Sequence, residues 1–139
     1  MMEAAAVRLE LPARPENVAV VRQAVAGVAS VLGVDDPVLA DMKMAVSEAC
    51  ANVVMHAYDH DRGTIEVEMQ PGLAALTVIV RDYGHGVRPR LDPDSSNLGL
   101  GLPLMAALSD EFEVRNNDTT GTEVRMAFNL VRLEADATS

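Results

Sequence analysis

Glu48, Asn52 and His56 recur at i, i+4 and i+8 within MKMAVSEACANVVMHAY (Met42–Tyr58), so on a helix they share one row. A carboxylate there can act as a general base, and an amide oxygen is a hard ligand suited to Mg²⁺. Val38, Met42, Val46, Ala49 and Val53 form an adjoining apolar stripe, which puts the polar row at the edge of a core-facing surface. Spacing alone fits both the lip of a pocket and a solvated helix flank. A second run, Asp82-Tyr83-Gly84-His85-Gly86, follows the most apolar stretch of the chain. A carboxylate at a strand end sits where ligands often meet a sheet, and Gly84 and Gly86 allow close backbone approach to a planar ligand. A plain turn would use the same residues. The third run, Asn97-Leu98-Gly99-Leu100-Gly101-Leu102-Pro103, leads into a helix. A glycine-rich lead-in exposes unpaired backbone N–H groups at the positive end of a helix, which can hold phosphate oxygens. Pro103 is compatible with a first helical turn. The spacing is not GxxxxGK[ST], so no ordinary P-loop is present.

The elements that must carry these runs follow from periodicity. Val7–Leu11 alternates as a strand and stops at Pro12. Glu16–Leu32 places Val18, Val21, Val25, Val28 and Leu32 at helical spacing, with Gly33 as its stop. Asp35-Asp36-Pro37 offers an N-cap and a first-turn proline, opening a long helix to about Tyr58. Asp59–Gly63 is turn chemistry; Thr64–Gln70 and Leu73–Asp82 read as strands joined at Pro71-Gly72. Residues 83–97 read as loop, and Leu98–Leu108 as helix. Glu111–Asn116 and Gly121–Asn129 read as strands around the turn Asn117–Thr120. Helices come mostly first and hairpins later, without regular βαβ alternation. This predicts an α+β fold, a two-layer sandwich with helices packed on one face of a mixed sheet.

At 139 residues the chain has room for one domain, assigned to 1–131, with 132–139 as a frayed tail. Its formal net charge of −10 disfavours phosphate backbones and anionic lipid, so neither direct nucleic-acid binding nor a membrane is expected. Cys50 is the single cysteine, which excludes an internal disulfide framework and fits a reducing, cytoplasmic setting. No basic leader and no membrane-length apolar run is read from the sequence. Aromatics are only 3%, so the core must be built from Val, Leu, Ala and Met; Met42, Met44 and Met55 are assigned to it. Cys50 falls on a different helix face from His56, which argues against a Cys/His metal site, and His60 lies beyond the helix break. His85 reads as a solvent-facing spacer.

In this order and spacing, ExxxN on a helix, DxGxG after a strand and GxG before a helix resemble the ATP-binding boxes of the GHKL (Bergerat-fold) ATPases. Gly121-Thr122-Glu123-Val124 resembles the GT element of that superfamily's last strands. The resemblance runs from about Pro37 to Phe128. Within the superfamily, SEACANVVMHAY and GLGLPLMAALSDEFEV are most similar to the small bacterial anti-sigma factor serine kinases.

That resemblance implies a Bergerat ATP-binding fold, with ATP and Mg²⁺ as cofactors. Glu48 would position or deprotonate the attacking hydroxyl. Asn52 would hold Mg²⁺ bridging the phosphates, with water completing the octahedron. Asp82 would accept a hydrogen bond from the adenine amino group, with Gly84 and Gly86 flanking the base and Thr122 supporting Asp82 or a bridging water. Gly99 and Gly101, with Leu100 between them, would bring backbone N–H groups to the phosphates, and His56 completes the nucleotide-contacting set. Only twelve residues, Val87–Leu98, separate the glycine boxes, a short lid beside many kinase relatives. Arg88 and Arg90 within it are either γ-phosphate contacts or solvated surface cations. The implied function is a kinase that phosphorylates a STAS-domain anti-anti-sigma factor and sequesters a sigma factor, as a homodimer. Two alternatives remain open: a nucleotide-binding anti-sigma module without kinase activity, and a switch-type kinase acting on a signalling scaffold.

Overall fold

A computed structural model describes residues 6–58, 63–84, 96–116 and 121–131, with 96–100 described as backbone. Strand β1 (Val7–Pro12) leads into helix α1 (Pro15–Leu32), and helix α2 (Asp36–Asn52) continues without a break into a π-helical turn, Val53–Ala57. Strands β2 (Thr64–Pro71) and β3 (Ala75–Asp82) form a hairpin; helix α3 (Ser96–Leu108) follows, then β4 (Glu111–Asn116) and β5 (Thr122–Asn129). Gly33 ends α1 at φ +76°, donating its N–H to the carbonyls of Ala29 and Ser30. Asp35 stands at the N-cap of α2, but its side chain makes no capping hydrogen bond. Its backbone N–H instead donates to Leu130 O at 3.1 Å, tying the start of α2 to the end of β5.

The described strands form one sheet in the order β1-β2-β3-β5-β4. All four pairings are antiparallel, which corrects the expectation of a mixed sheet. β3 and β4 do run in the same direction, as a crossover through α3 requires. β5 inserts between them, so no parallel ladder forms. The α+β two-layer arrangement is as expected: α2 lies between α1 and α3, over β3 and β5.

The core lies between the layers. The stripe Val38, Met42, Val46, Ala49 and Val53 is buried as predicted, meeting Val21, Val25 and Ala29 of α1. On the sheet side it packs over Val67, Met69, Val78, Val80, Met126 and Phe128. Met44 and Met55, expected in this core, are 51% and 63% exposed, because they lie on the side of the helix turned away from the sheet.

The other sheet face carries charge. Arg81 Nη1 stands 3.0 Å from both Glu66 Oε2 and Glu68 Oε1, and its Nε is 2.9 Å from Glu123 Oε1. Glu68 also accepts from Gln70 Nε2 at 2.8 Å. That hydrogen bond, with the Arg81 guanidinium opposing the cost of burial, holds the Glu68 carboxyl below the usual glutamate range. A depressed folded-state pKa gives stability that is present above the unfolded value, about 4.3, and lost as pH falls through the folded one. Thermal unfolding followed from pH 6 down to pH 3 should therefore show Tm falling more steeply in wild type than in Glu68→Gln, by a few degrees at the acid end. Parallel curves would remove Glu68 from the acid response.

Candidate functional site

The Asp82 side chain shares the covered face of β3 with Leu76, Val78 and Val80 by strand alternation, and it is 5% exposed. A buried carboxylate requires hydrogen-bond donors. Gly84 N–H donates to Asp82 Oδ1 at 3.0 Å, and Thr122 N–H donates to the same oxygen at 3.2 Å. Thr122 is the register partner of Asp82. The GT element thus touches the Asp82 carboxylate through backbone rather than through the threonine hydroxyl. Gly121, at φ +87°, makes this approach possible: a Cβ there would overlap the Asp82 carbonyl oxygen and lie 2.8 Å from Tyr83 Cα. Only glycine adopts that φ cheaply.

Gly84 has a second role. A Cβ on it would collide with the backbone carbonyl of Ala57, so the end of β3 lies directly against the last residue of the π turn. The strand carrying Asp82 and the helix carrying Glu48 and Asn52 therefore meet backbone to backbone. The π turn itself departs from the expected uninterrupted helix. A turn closed by i→i+5 bonds needs more than four residues. His56 is consequently offset from the straight row through Glu48 and Asn52, and it is partly buried on the π turn.

Gly101 joins the second side of the site. A Cβ on it would stand 2.9 Å from Asn52 Nδ2, 3.3 Å from Asn52 Oδ1 and 3.4 Å from Glu48 Oε1. The glycine box and the helix box thus face each other. Glu48, Asn52 and Gly101 come together so closely that a side chain at 101 would press on the Asn52 amide. The Glu48 carboxylate and the Asn52 amide supply hard oxygens of the kind Mg²⁺ accepts, few enough that water and phosphate would fill most of its shell. The box is not, however, a lead-in to the helix. Helix α3 begins at Ser96, so Gly101 is well inside it, where α-helical geometry turns its N–H back toward Asn97. Pro103 lies within the helix rather than in its first turn. A proline ring crowds the carbonyl four residues earlier, here that of Gly99, where the absent Cβ lets the backbone yield.

Gly86, His85, Arg88 and Arg90 lie outside the described residues, as do His60, the turn Asn117–Thr120 and the tail 132–139. Cys50 is fully buried in α2, and burial pushes its thiol up to about 12, so it stays protonated at neutral pH. No group of three or more metal-type side chains occurs among the described residues. Sequence reasoning missed the π turn, for which no local signal exists, and the positive φ at Gly121, which its place after Asp118-Thr119-Thr120 hints at.

Residues 11–128 match the Histidine kinase-like ATPase domain family. The serine-protein kinase RsbW of Bacillus subtilis (strain 168) is 34% identical over 146 aligned positions, covering 95% of this chain and 91% of that protein. The protein of the same name from Bacillus velezensis is 38% identical, over 86% of this chain and 82% of its own. A crystal structure of RsbU and RsbW domains from Mycobacterium tuberculosis superposes with a TM-score of 0.70 at 24% identity. It covers 91% of this chain and 33% of that longer one, and it shares the fold. Glu48, Asn52, Asp82 and Gly101 lie inside the matched span, and the chain belongs to the histidine kinase-like ATPase family, among the serine-protein kinases of the RsbW type.

Proposed function

We propose that the protein is an ATP-dependent serine/threonine-protein kinase and anti-sigma factor. It transfers phosphate to a STAS-domain anti-anti-sigma factor and holds a sigma factor in the alternative complex. Use of ATP follows from the family. The finer assignments rest above all on one observation: Gly101 brings its bare Cα against both Asn52 and Glu48, the two side chains the chemistry needs.

In this reading the Asp82 carboxylate accepts a hydrogen bond from the adenine amino group, held for that task by the Gly84 and Thr122 N–H groups. Gly84 and Gly86 flank the base. Asn52 offers its amide oxygen to Mg²⁺, with His56 nearby on the π turn. Gly99, Leu100 and Gly101 give the phosphates a backbone wall with no Cβ at two of its three positions. The bound metal supplies charge neutralisation across the phosphates. Glu48 takes the proton of the incoming serine or threonine hydroxyl. Residues 1–131 act as one ATPase unit, working in the cytoplasm as a homodimer. Among the described residues no helix is long and apolar enough to cross a membrane.

Incubation with labelled ATP, Mg²⁺ and a panel of STAS proteins tests the proposal directly. A labelled STAS protein is the expected result. Nucleotide and sigma-factor binding with no phosphoprotein would replace the kinase reading with a binding module.

Base recognition has its own check. Asp82→Asn keeps an oxygen for Gly84 and Thr122 N–H but turns the second atom from acceptor to donor, facing the adenine amino group. Loss of a charge-assisted hydrogen bond is worth about 1.5–3 kcal/mol, so calorimetry should show ATP affinity falling about ten-fold or more. Unchanged affinity in a folded variant sinks the adenine assignment.

A further inference from the structure

Tyr58 is the residue just past the π turn, and its hydroxyl makes two hydrogen bonds, one to the start of β2 and one just beyond the end of β3. It donates to the Thr64 carbonyl at 2.8 Å and accepts from the Tyr83 backbone N–H at 2.8 Å. The β2–β3 register runs from Pro71↔Leu76 to Glu66↔Arg81, so its continuation would set Thr64 opposite Tyr83. The Tyr58 hydroxyl therefore stands between a carbonyl and an N–H that a continued ladder would bring opposite each other. It spreads the two strands where Asp82 ends β3, and it satisfies both backbone groups that the spreading would strand.

The ring is held in place as well. A Cβ on Gly63 would fall on it, so glycine at 63 is what lets the β2 lead-in close over Tyr58. Its neighbour Ala57 meets Gly84, two residues beyond Asp82. The two residues that follow Asp82 are thus fixed, one each, to the end of the helix that bears Glu48 and Asn52.

From this geometry we propose that Tyr58 is a positioning residue for base recognition, a hydroxyl wedge that sets the placement of Asp82 and thereby the preference for adenine over a 6-oxo purine. The inference rests on the reading of Asp82 given above. Tyr58→Phe keeps the ring and its packing while deleting both hydrogen bonds. Each neutral hydrogen bond has a modest net worth, so ATP affinity should fall by about three- to ten-fold. Selectivity over GTP should shrink by a similar factor, because guanine presents a carbonyl where adenine presents its amino group. The rate constant kcat should stay within about two-fold, since Glu48 and Asn52 precede the π turn.

The experiment combines calorimetric ATP and GTP affinities, steady-state kinetics, and amide NMR of the nucleotide-free protein in wild type and Tyr58→Phe. Shifted Gly84 and Thr122 amide resonances, with KM raised, selectivity reduced and kcat preserved, are expected. Resonances and selectivity identical to wild type overturn the proposal. So does a fall in kcat and Tm with selectivity intact, which is the signature of a structural side chain. A wild type that binds ATP and GTP alike overturns the Asp82 reading first, and the proposal with it.

Discussion

Glu48→Gln should bind ATP as wild type does and yet phosphorylate its protein substrate about 10²–10⁴-fold more slowly, the usual cost of losing a general base. The substitution preserves length and hydrogen-bonding reach while removing the site that accepts the hydroxyl proton. Glu48 lies one helical turn before Asn52, and its Oε1 stands beside the bare Cα of Gly101. A neutral amide there leaves the Asn52–Gly101 contact intact, so ground-state binding has little reason to change. Single-turnover transfer from labelled ATP, read beside calorimetric affinity, separates the two terms. Transfer at the wild-type rate removes Glu48 from the chemistry and leaves it a polar wall of the pocket.

Gly121→Ala should be the most damaging small substitution in the sheet. A side chain at φ +87° is strained by about 1–2 kcal/mol in the left-handed region. The added methyl would also press on the Asp82 and Tyr83 backbone, which cannot swing aside as a flexible side chain can. Together these put the loss at about 2–4 kcal/mol, or a Tm lower by about 5–15 °C. Relief requires β5 to draw away from β3 at the very pair that holds Asp82, so nucleotide affinity should fall along with stability. Differential scanning fluorimetry with and without ATP measures both effects. An alanine variant with wild-type Tm would show that the strand end accommodates the methyl.

Much of this was legible from side-chain pattern. The stripe from Val38 to Val53 has helical period, and each member is buried because the same period that reads as a face also packs as one. Asp82 stood out as a carboxylate closing an apolar strand, and its environment bears out the oddity of its position. What escaped was set by backbone partners far away in the chain. The π turn after Asn52 has no residue signature, since its sequence VVMHA would continue an α-helix equally well. The glycine box read as a lead-in because glycines and a proline usually interrupt helices. Here the helix runs through them from Ser96 to Leu108. Met44 and Met55 were misassigned because hydrophobicity alone does not say which side of a helix meets the sheet. The mixed sheet was inferred from the order of helices and hairpins along the chain. It failed because the last described strand inserts between the two that the crossover connects.

That insertion has a consequence for how the protein is made. β5 is the final described strand in chain order, yet it fills an interior place between β3 and β4 and brings the Thr122 N–H to Asp82. A growing chain that has already emitted Asp82 must wait for some forty further residues, roughly 2–8 s at about 5–20 residues per second, before that carboxylate gains the Thr122 donor. Until β5 arrives, β3 offers a bare strand edge to whatever is nearby, joined by β4 once Asn116 has been made, and the β5 side of Asp82 is uncovered. A ribosome-bound chain arrested before Thr122 should therefore ignore ATP, and one arrested well beyond Asn129 should hold it.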